Sequence, residues 1–175
     1  LNYLTSHDDG SPFDKERKRS RETATKLLLS PGTSQIYYGD ESARTLIVEG
    51  TEGDATLRSE MNWEDIQNND ETKELLAYWQ KLGKFRRDHP SVGAGLHKQI
   101  SAAPYTFSRT YSEGDYSDRV VIGLNLEKGS KVMSVSDVFE DGTELRDAYS
   151  DVRAKVENGQ VSLNTPFSMV LLEKA

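Results

Sequence analysis

His7-Asp8-Asp9 sets an imidazole beside two carboxylates, directly behind the apolar run Leu1-Asn2-Tyr3-Leu4-Thr5. Such a run fits the end of a buried strand, and in α/β barrels the carboxyl ends of the strands are where catalytic groups gather. A buried carboxylate there can stabilise developing positive charge while the imidazole donates hydrogen bonds to substrate hydroxyls. The same residues also fit a solvated Asx turn ahead of a helix at Lys15, with Gly10 and Pro12 as turn residues.

Asp40-Glu41 is the other acidic pair placed behind an apolar run, here Gln35-Ile36-Tyr37-Tyr38 followed by Gly39. Adjacent residues on extended backbone point to opposite faces, so these two carboxylates cannot address one bond. Capping backbone N–H groups or pairing with an arginine is the role expected of them. Arg17, Lys18, Arg19 and Arg21 form a basic cluster that Glu16 and Glu22 interrupt, which reads as a solvated helix face. His89 precedes Pro90 and reads as structural, and His97 has no patterned partner. No His, Asp or Glu group has metal-ligand spacing and no glycine-rich phosphate loop is present, so no cofactor is expected of these residues.

The elements that position these groups differ between the two halves. Lys15 to Ser30 suits a helix, with Ala24, Leu27 and Leu28 at helical spacing and Pro31-Gly32 as its stop. Residues 42–69 are loop-like. Glu71 to Arg87 is the clearest helix: Leu75, Tyr78, Trp79, Leu82 and Phe85 line one face, Asn69 or Asp70 can cap it, and Pro90 prevents continuation. Past Gly95 the period changes to two. Tyr105, Phe107 and Tyr111 alternate with polar residues, as do Val120, Ile122, Leu124 and Leu126, and Lys131–Val135, Val161–Leu163 and Ser168–Leu172 follow. Asp141-Gly142 and Asn158-Gly159 suit tight hairpin turns. The expected architecture is therefore α/β over residues 1–95 and all-β, an antiparallel sandwich, over residues 96–175. Two parallel strands cannot form a sheet alone, so further strands are expected upstream of Leu1.

Composition agrees with a folded, acidic chain. The 175 residues carry a formal net charge of −7, with 35% hydrophobic and 29% charged side chains. Phosphate neutralisation needs a basic surface, which argues against nucleic acid as a partner. There is no cysteine, so thiolate metal sites and disulfide scaffolds are excluded. No stretch approaches the roughly 20 apolar residues that a membrane helix requires.

Gly32-Thr33-Ser34-Gln35-Ile36-Tyr37-Tyr38-Gly39-Asp40-Glu41 resembles the eighth-strand motif of the alpha-amylase family of glycoside hydrolases. Tyr3-Leu4-Thr5-Ser6-His7-Asp8 is similar to that family's seventh-strand motif, and Leu27-Leu28-Leu29-Ser30-Pro31-Gly32 closes the helix between them. Arg58-Ser59-Glu60-Met61-Asn62-Trp63 resembles a segment in the loop after the eighth strand, and Phe85-Arg86-Arg87-Asp88-His89-Pro90 the end of the last barrel helix. Ser6 stands where the family usually has Asn, and Ser34 and Glu60 where it usually has Pro.

The resemblance implies the last two strand–helix units of a (β/α)8 TIM barrel followed by the family's carboxyl-terminal β-sandwich. It implies a retaining glycosidase acting on α-1,4-glucans such as starch and maltodextrins. Asp8 is then the carboxylate that stabilises the transition state, with His7, Arg58 and Trp63 as substrate-binding residues. Asp40 and Glu41 are structural at the barrel mouth. The nucleophile Asp and acid/base Glu of the family come from the fourth and fifth strands, so residues 1–175 alone are expected to be inactive. No metal is expected here, while calcium is possible in the full-length parent. The expected partners are an α-glucan and either the upstream barrel portion or a second copy. A secreted, periplasmic or cell-surface setting is expected over a cytoplasmic one. A reading of another class is a non-catalytic carbohydrate-binding or interaction module carried by the β-rich half.

Overall fold

Asp14 decides where the first helix begins. Its carboxylate accepts the Arg19 backbone N–H at 2.9 Å and the Ser20 hydroxyl at 3.3 Å, while Arg17 takes a left-handed φ of 57°. A left-handed residue cannot continue a helix, so α1 runs over Ser20–Leu28 and not from Lys15. The computed structural model describes every residue from Leu1 to Ala175, in two compact units, Leu1–Lys84 and Phe85–Ala175.

In the first unit α1 buries Ala24, Leu27 and Leu28. A 3-10 turn at Gly53–Arg58 and a short helix α2, Trp63–Asn68, occupy the stretch whose composition reads as loop. Helix α3, Asp70–Asp88, begins where the Asn69 side chain accepts the Thr72 N–H at 3.0 Å. That bond satisfies one of the orphan amides of the first turn. Leu75, Tyr78, Trp79 and Leu82 are buried on its apolar stripe, and Thr25 of α1 meets the Tyr78 hydroxyl at 2.6 Å. A separate cluster of Tyr37, Leu46 and Leu57 packs beneath the loop.

The second unit takes in the last turn of α3 from Phe85 and then the short helix α4, Pro90–Ala94, which uses Pro90 at its first turn, where a missing N–H costs nothing. Eight strands follow: β1 Leu96–Ala102, β2 Tyr105–Glu113, β3 Tyr116–Leu124, β4 Gly129–Ser134, β5 Glu144–Asp147, β6 Arg153–Lys155, β7 Gln160–Thr165 and β8 Met169–Lys174. All pairings are antiparallel, forming a six-stranded sheet ordered β1-β2-β3-β8-β5-β6 and a two-stranded sheet β4-β7.

One apolar cluster joins the two sheets. Val121, Val170 and Leu172 come from the larger sheet, Met133, Val161 and Leu163 from the smaller, and Val138 and Phe139 from their connection. Each such side chain taken from water stabilises the fold by about 1.5–3 kcal/mol. In β3 and β8 both faces are buried, so the alternation expected around Val120 and Ile122 gives way to continuous burial. β3 stops at Leu124 because Asn125 takes a left-handed φ of 57°. Asn158-Gly159 forms a two-residue turn with positive φ at both positions (51° and 71°), closed by the Glu157–Gln160 bridge. Asp141-Gly142 also turns, with Thr143 N–H bonded to Glu140 O at 3.1 Å, but it links strands of different sheets.

Candidate functional site

The Leu1–Ser6 segment and the Thr33–Tyr38 segment run in the same direction where they meet. Asn2 and Ser34 form a parallel bridge, with Asn2 N–H donating to Thr33 O at 2.7 Å and Gln35 N–H to Asn2 O at 2.8 Å. The Asn2 side chain adds a bond to Pro31 O at 2.6 Å, and the Ser34 hydroxyl donates to Leu27 O at 2.9 Å. Ladder pairing is confined to this bridge and does not extend over Gln35–Tyr38.

His7 and Asp8 follow the first segment as it leaves the pair. The His7 Nε2 lies 3.7 Å from Asp8 Oδ2, and both side chains are about two-thirds exposed (66% and 63%). The Ser6 hydroxyl donates to Asp8 Oδ1 at 3.0 Å. Arg58, at the end of the 3-10 turn, donates from Nε to the His7 carbonyl at 3.1 Å. His7, Asp8 and Arg58 are thus gathered at one place, offering an acceptor and donors to a polyhydroxyl ligand. Trp63, at the start of α2, is 65% exposed and shares no hydrogen bond or ring contact with the other three.

Asp40 lies elsewhere in the same unit and is sealed from water. Its Oδ1 accepts Arg17 Nη1 at 2.8 Å, with side-chain exposures of 0% and 7%. Burial pushes the Asp40 carboxyl above the ordinary aspartate range, and the Arg17 guanidinium only partly offsets that. Asp40 Oδ2, Arg17 Nη2, Thr5 Oγ1 and the half-buried Glu41 Oε2 have no hydrogen-bond partner. Such atoms are costly, and none of them faces open solvent.

Two arginines that the sequence reading did not single out for the site hold this region together. Arg17 is no part of a solvated helix face: it also donates from Nε to the Arg44 carbonyl at 2.7 Å. Arg44 is completely buried and donates to Tyr38 O at 3.0 Å, Ser59 O at 3.1 Å and Leu57 O at 3.2 Å. Its guanidinium carbon sits 3.8 Å from the centre of the Tyr38 ring. Gly39 permits this close approach, since a Cβ there would lie 2.4 Å from Arg44 Cβ, at a φ of +83°. The legible signal is Gly39 itself, a glycine between a tyrosine pair and an acidic pair. Among His, Asp and Glu side chains no group of three gathers as a metal site.

No protein-family model matches the chain. The periplasmic alpha-amylase of Escherichia coli strain K12 is 41% identical over 123 residues, which cover 70% of this chain and 17% of that protein. A cyclomaltodextrinase of a Bacillus species is 25% identical over 138 residues, covering 76% of this chain and 23% of its own. The chain therefore spans about a fifth of the length of these curated relatives. Among solved structures, a Thermus thermophilus protein aligns over 99% of this chain and 35% of its own, with a TM-score of 0.71 at 24% identity. An Anoxybacillus alpha-amylase aligns over 99% and 38%, with a TM-score of 0.66 at 24% identity, so the fold is shared. The chain belongs to the alpha-amylase family and corresponds to the carboxyl-terminal portion of the members it matches.

Proposed function

We propose that residues 1–95 supply the last two strand–helix units of a (β/α)8 barrel and residues 96–175 its carboxyl-terminal sandwich, in a retaining glycosidase acting on α-1,4-glucans. The parallel bridge between Asn2 and Ser34 carries this reading, because it sets two successive segments side by side with His7-Asp8 at the carboxyl end of one. Leu1, Tyr3, Ile36 and Tyr38 around that bridge are exposed, an apolar surface that suits a covering barrel portion. Homologous structures solved with maltose and acarbose support an α-glucan as ligand.

Asp8 acts as the carboxylate that steadies positive charge at the sugar ring, and His7 and Arg58 bond its hydroxyls. Trp63 offers an aromatic face to a pyranose. Asp40 and Glu41 are structural at the barrel mouth. The nucleophile and the acid/base come from other strands of the barrel, as does any calcium site. The E. coli relative is named periplasmic, which supports a secreted or periplasmic setting. No helix is long and apolar enough to cross a membrane.

Reducing-end release from soluble starch tests the assignment. Residues 1–175 alone are expected to show none, and turnover near that of a complete enzyme overturns it. Titration with maltoheptaose separates the module reading, which requires that ligand to perturb residues 96–175.

A further inference from the structure

We infer that Arg44, itself sealed from solvent, is a positioning residue for the His7–Asp8 site and acts through Arg58; the inference rests on the glycosidase reading for its consequence but not for its geometry. Arg44 donates to the carbonyls of Leu57 and Ser59, the two residues that flank Arg58. It also bonds the Ser59 hydroxyl, which in turn donates to Thr45 O at 2.6 Å. The backbone on both sides of Arg58 is thereby held by a side chain that has no exposure, which shares the two carbonyls with the Tyr37 and Tyr38 hydroxyls at 3.0 and 2.8 Å and is the one group that bonds both. From that fixed point the exposed Arg58 reaches out and holds the His7 carbonyl at 3.1 Å.

The other local tether at His7-Asp8 is the Ser6 hydroxyl on Asp8. Without Arg58 in register, the loop carrying the imidazole and the carboxylate is free to drift. Arg44 is itself anchored from behind: Arg17 holds its carbonyl, and the same Arg17 is held by Asp40. Asp40, Arg17, Arg44, Leu57/Ser59, Arg58 and His7 thus form a continuous line from a sealed ion pair to the open site, joined by hydrogen bonds except where the backbone itself carries Leu57 and Ser59 to Arg58. A planar guanidinium with five donors serves three carbonyls and the Ser59 hydroxyl from one rigid fork; a lysine ammonium, with three donors and no fork, cannot serve all four.

The test uses the full chain, labelled with nitrogen-15, and follows the Arg58 Nε–H resonance together with maltoheptaose affinity. In Arg44→Lys the Arg58 Nε–H signal is expected to move towards that of a solvated arginine, with maltoheptaose affinity falling about tenfold. Ser59→Ala, a milder change, is expected to shift the same signal in the same direction. Thr25→Val loosens the same unit at the Tyr78 contact and is expected to leave the signal in place. An Arg58 signal unmoved in folded Arg44→Lys, or unmoved in Ser59→Ala should Arg44→Lys not fold, overturns the inference. So does a signal that moves equally in Thr25→Val. A wild-type chain that ignores maltoheptaose while Arg58 still responds to Arg44 counts against the glucan assignment and supports the positioning role.

Discussion

Arg17 Nη1 and Asp40 Oδ1 meet at 2.8 Å in a place almost closed to water, yet each side chain keeps one polar atom without a partner. A buried ion pair repays its desolvation only when its remaining donors and acceptors are also bonded. This one is therefore expected to serve register more than stability. Arg17→Met and Asp40→Leu are each expected to cost about 3 kcal/mol, because each strands the other group. The double variant Arg17→Met/Asp40→Leu is expected to cost less than either alone. Urea unfolding of the four proteins gives the coupling energy; simple additivity refutes the account.

The pH dependence of stability separates two carboxylates that are shifted in opposite directions. Burial raises Asp40 above 3.8 despite Arg17, so in the window above that value the folded protein keeps a proton that the unfolded chain has released. Unfolding free energy from this group then falls as pH rises through the window. At Asp118 burial pushes up, but the bonds from His89 and from Ser91 prevail and the carboxyl lies below 3.8. Its contribution is present above 3.8 and is lost as pH falls through the folded value. Urea midpoints against pH are expected to lose the falling limb in Asp40→Asn and the acid-side loss in Asp118→Asn. Equal slopes in both variants sink the prediction.

How much of this was legible in the sequence follows from which forces write themselves into residue order. The stripe from Leu75 to Leu82 and the Asn69 cap act within a few residues, and α3 matches the helix read from them at both ends to within a residue. The Asn158-Gly159 turn is equally local. β1 and β6 escaped notice because they are the edges of the larger sheet, mostly exposed and polar, so no alternation marks them. β5 escaped because Asp147, fully buried, does the work of a backbone partner, accepting the Tyr149 and Leu171 N–H groups at 3.0 and 2.8 Å. At the site, His7, Asp8 and Arg58 carry recognisable strings. Arg17 and Arg44 do not, since their partners are carbonyls, a hydroxyl and a carboxylate between 6 and 27 positions away.

Gly159 supplies a stability prediction that depends on backbone conformation and on the space a side chain would need. Its φ is +71°, and a Cβ there would lie 2.8 Å from Ser136 Cβ, which has no flexible end to move aside. The turn is further held by the Asp141 carboxylate, which accepts the Asn158 and Gly159 N–H groups at 3.1 and 2.7 Å. Gly159→Ala is expected to destabilise the Phe85–Ala175 unit by about 1–3 kcal/mol. Gly114, also at positive φ but with nothing within 4 Å of a new Cβ, gives the comparison: Gly114→Ala is expected to cost less. Thermal unfolding followed by circular dichroism ranks the two, and the reverse order refutes the argument.

His89 ties the end of α3 to two strands at once. Its Nδ1 lies 2.8 Å from Asp118 Oδ1 on β3, and its Nε2 lies 2.5 Å from Glu173 Oε2 on β8. Asp118 Oδ2 accepts the Ser91 N–H at 2.9 Å, and Glu173 Oε1 accepts Arg146 Nε at 2.7 Å, so each carboxylate is already committed on its other oxygen. The ring thus bridges the two carboxylates through its two nitrogens. Removing the ring leaves two largely buried carboxylates facing an empty space, with Arg146 compensating one of them. His89→Ala is therefore expected to destabilise the second unit by about 3–5 kcal/mol. Asp88→Asn, which removes an exposed pairing with Arg87, is expected to leave stability nearly unchanged. Amide exchange should localise the His89→Ala loss to the β3–β8 pairs Val121–Leu172 and Ile122–Leu171. A His89→Ala protein as stable as Asp88→Asn shows that the two carboxylates find water instead, and that the tether is dispensable.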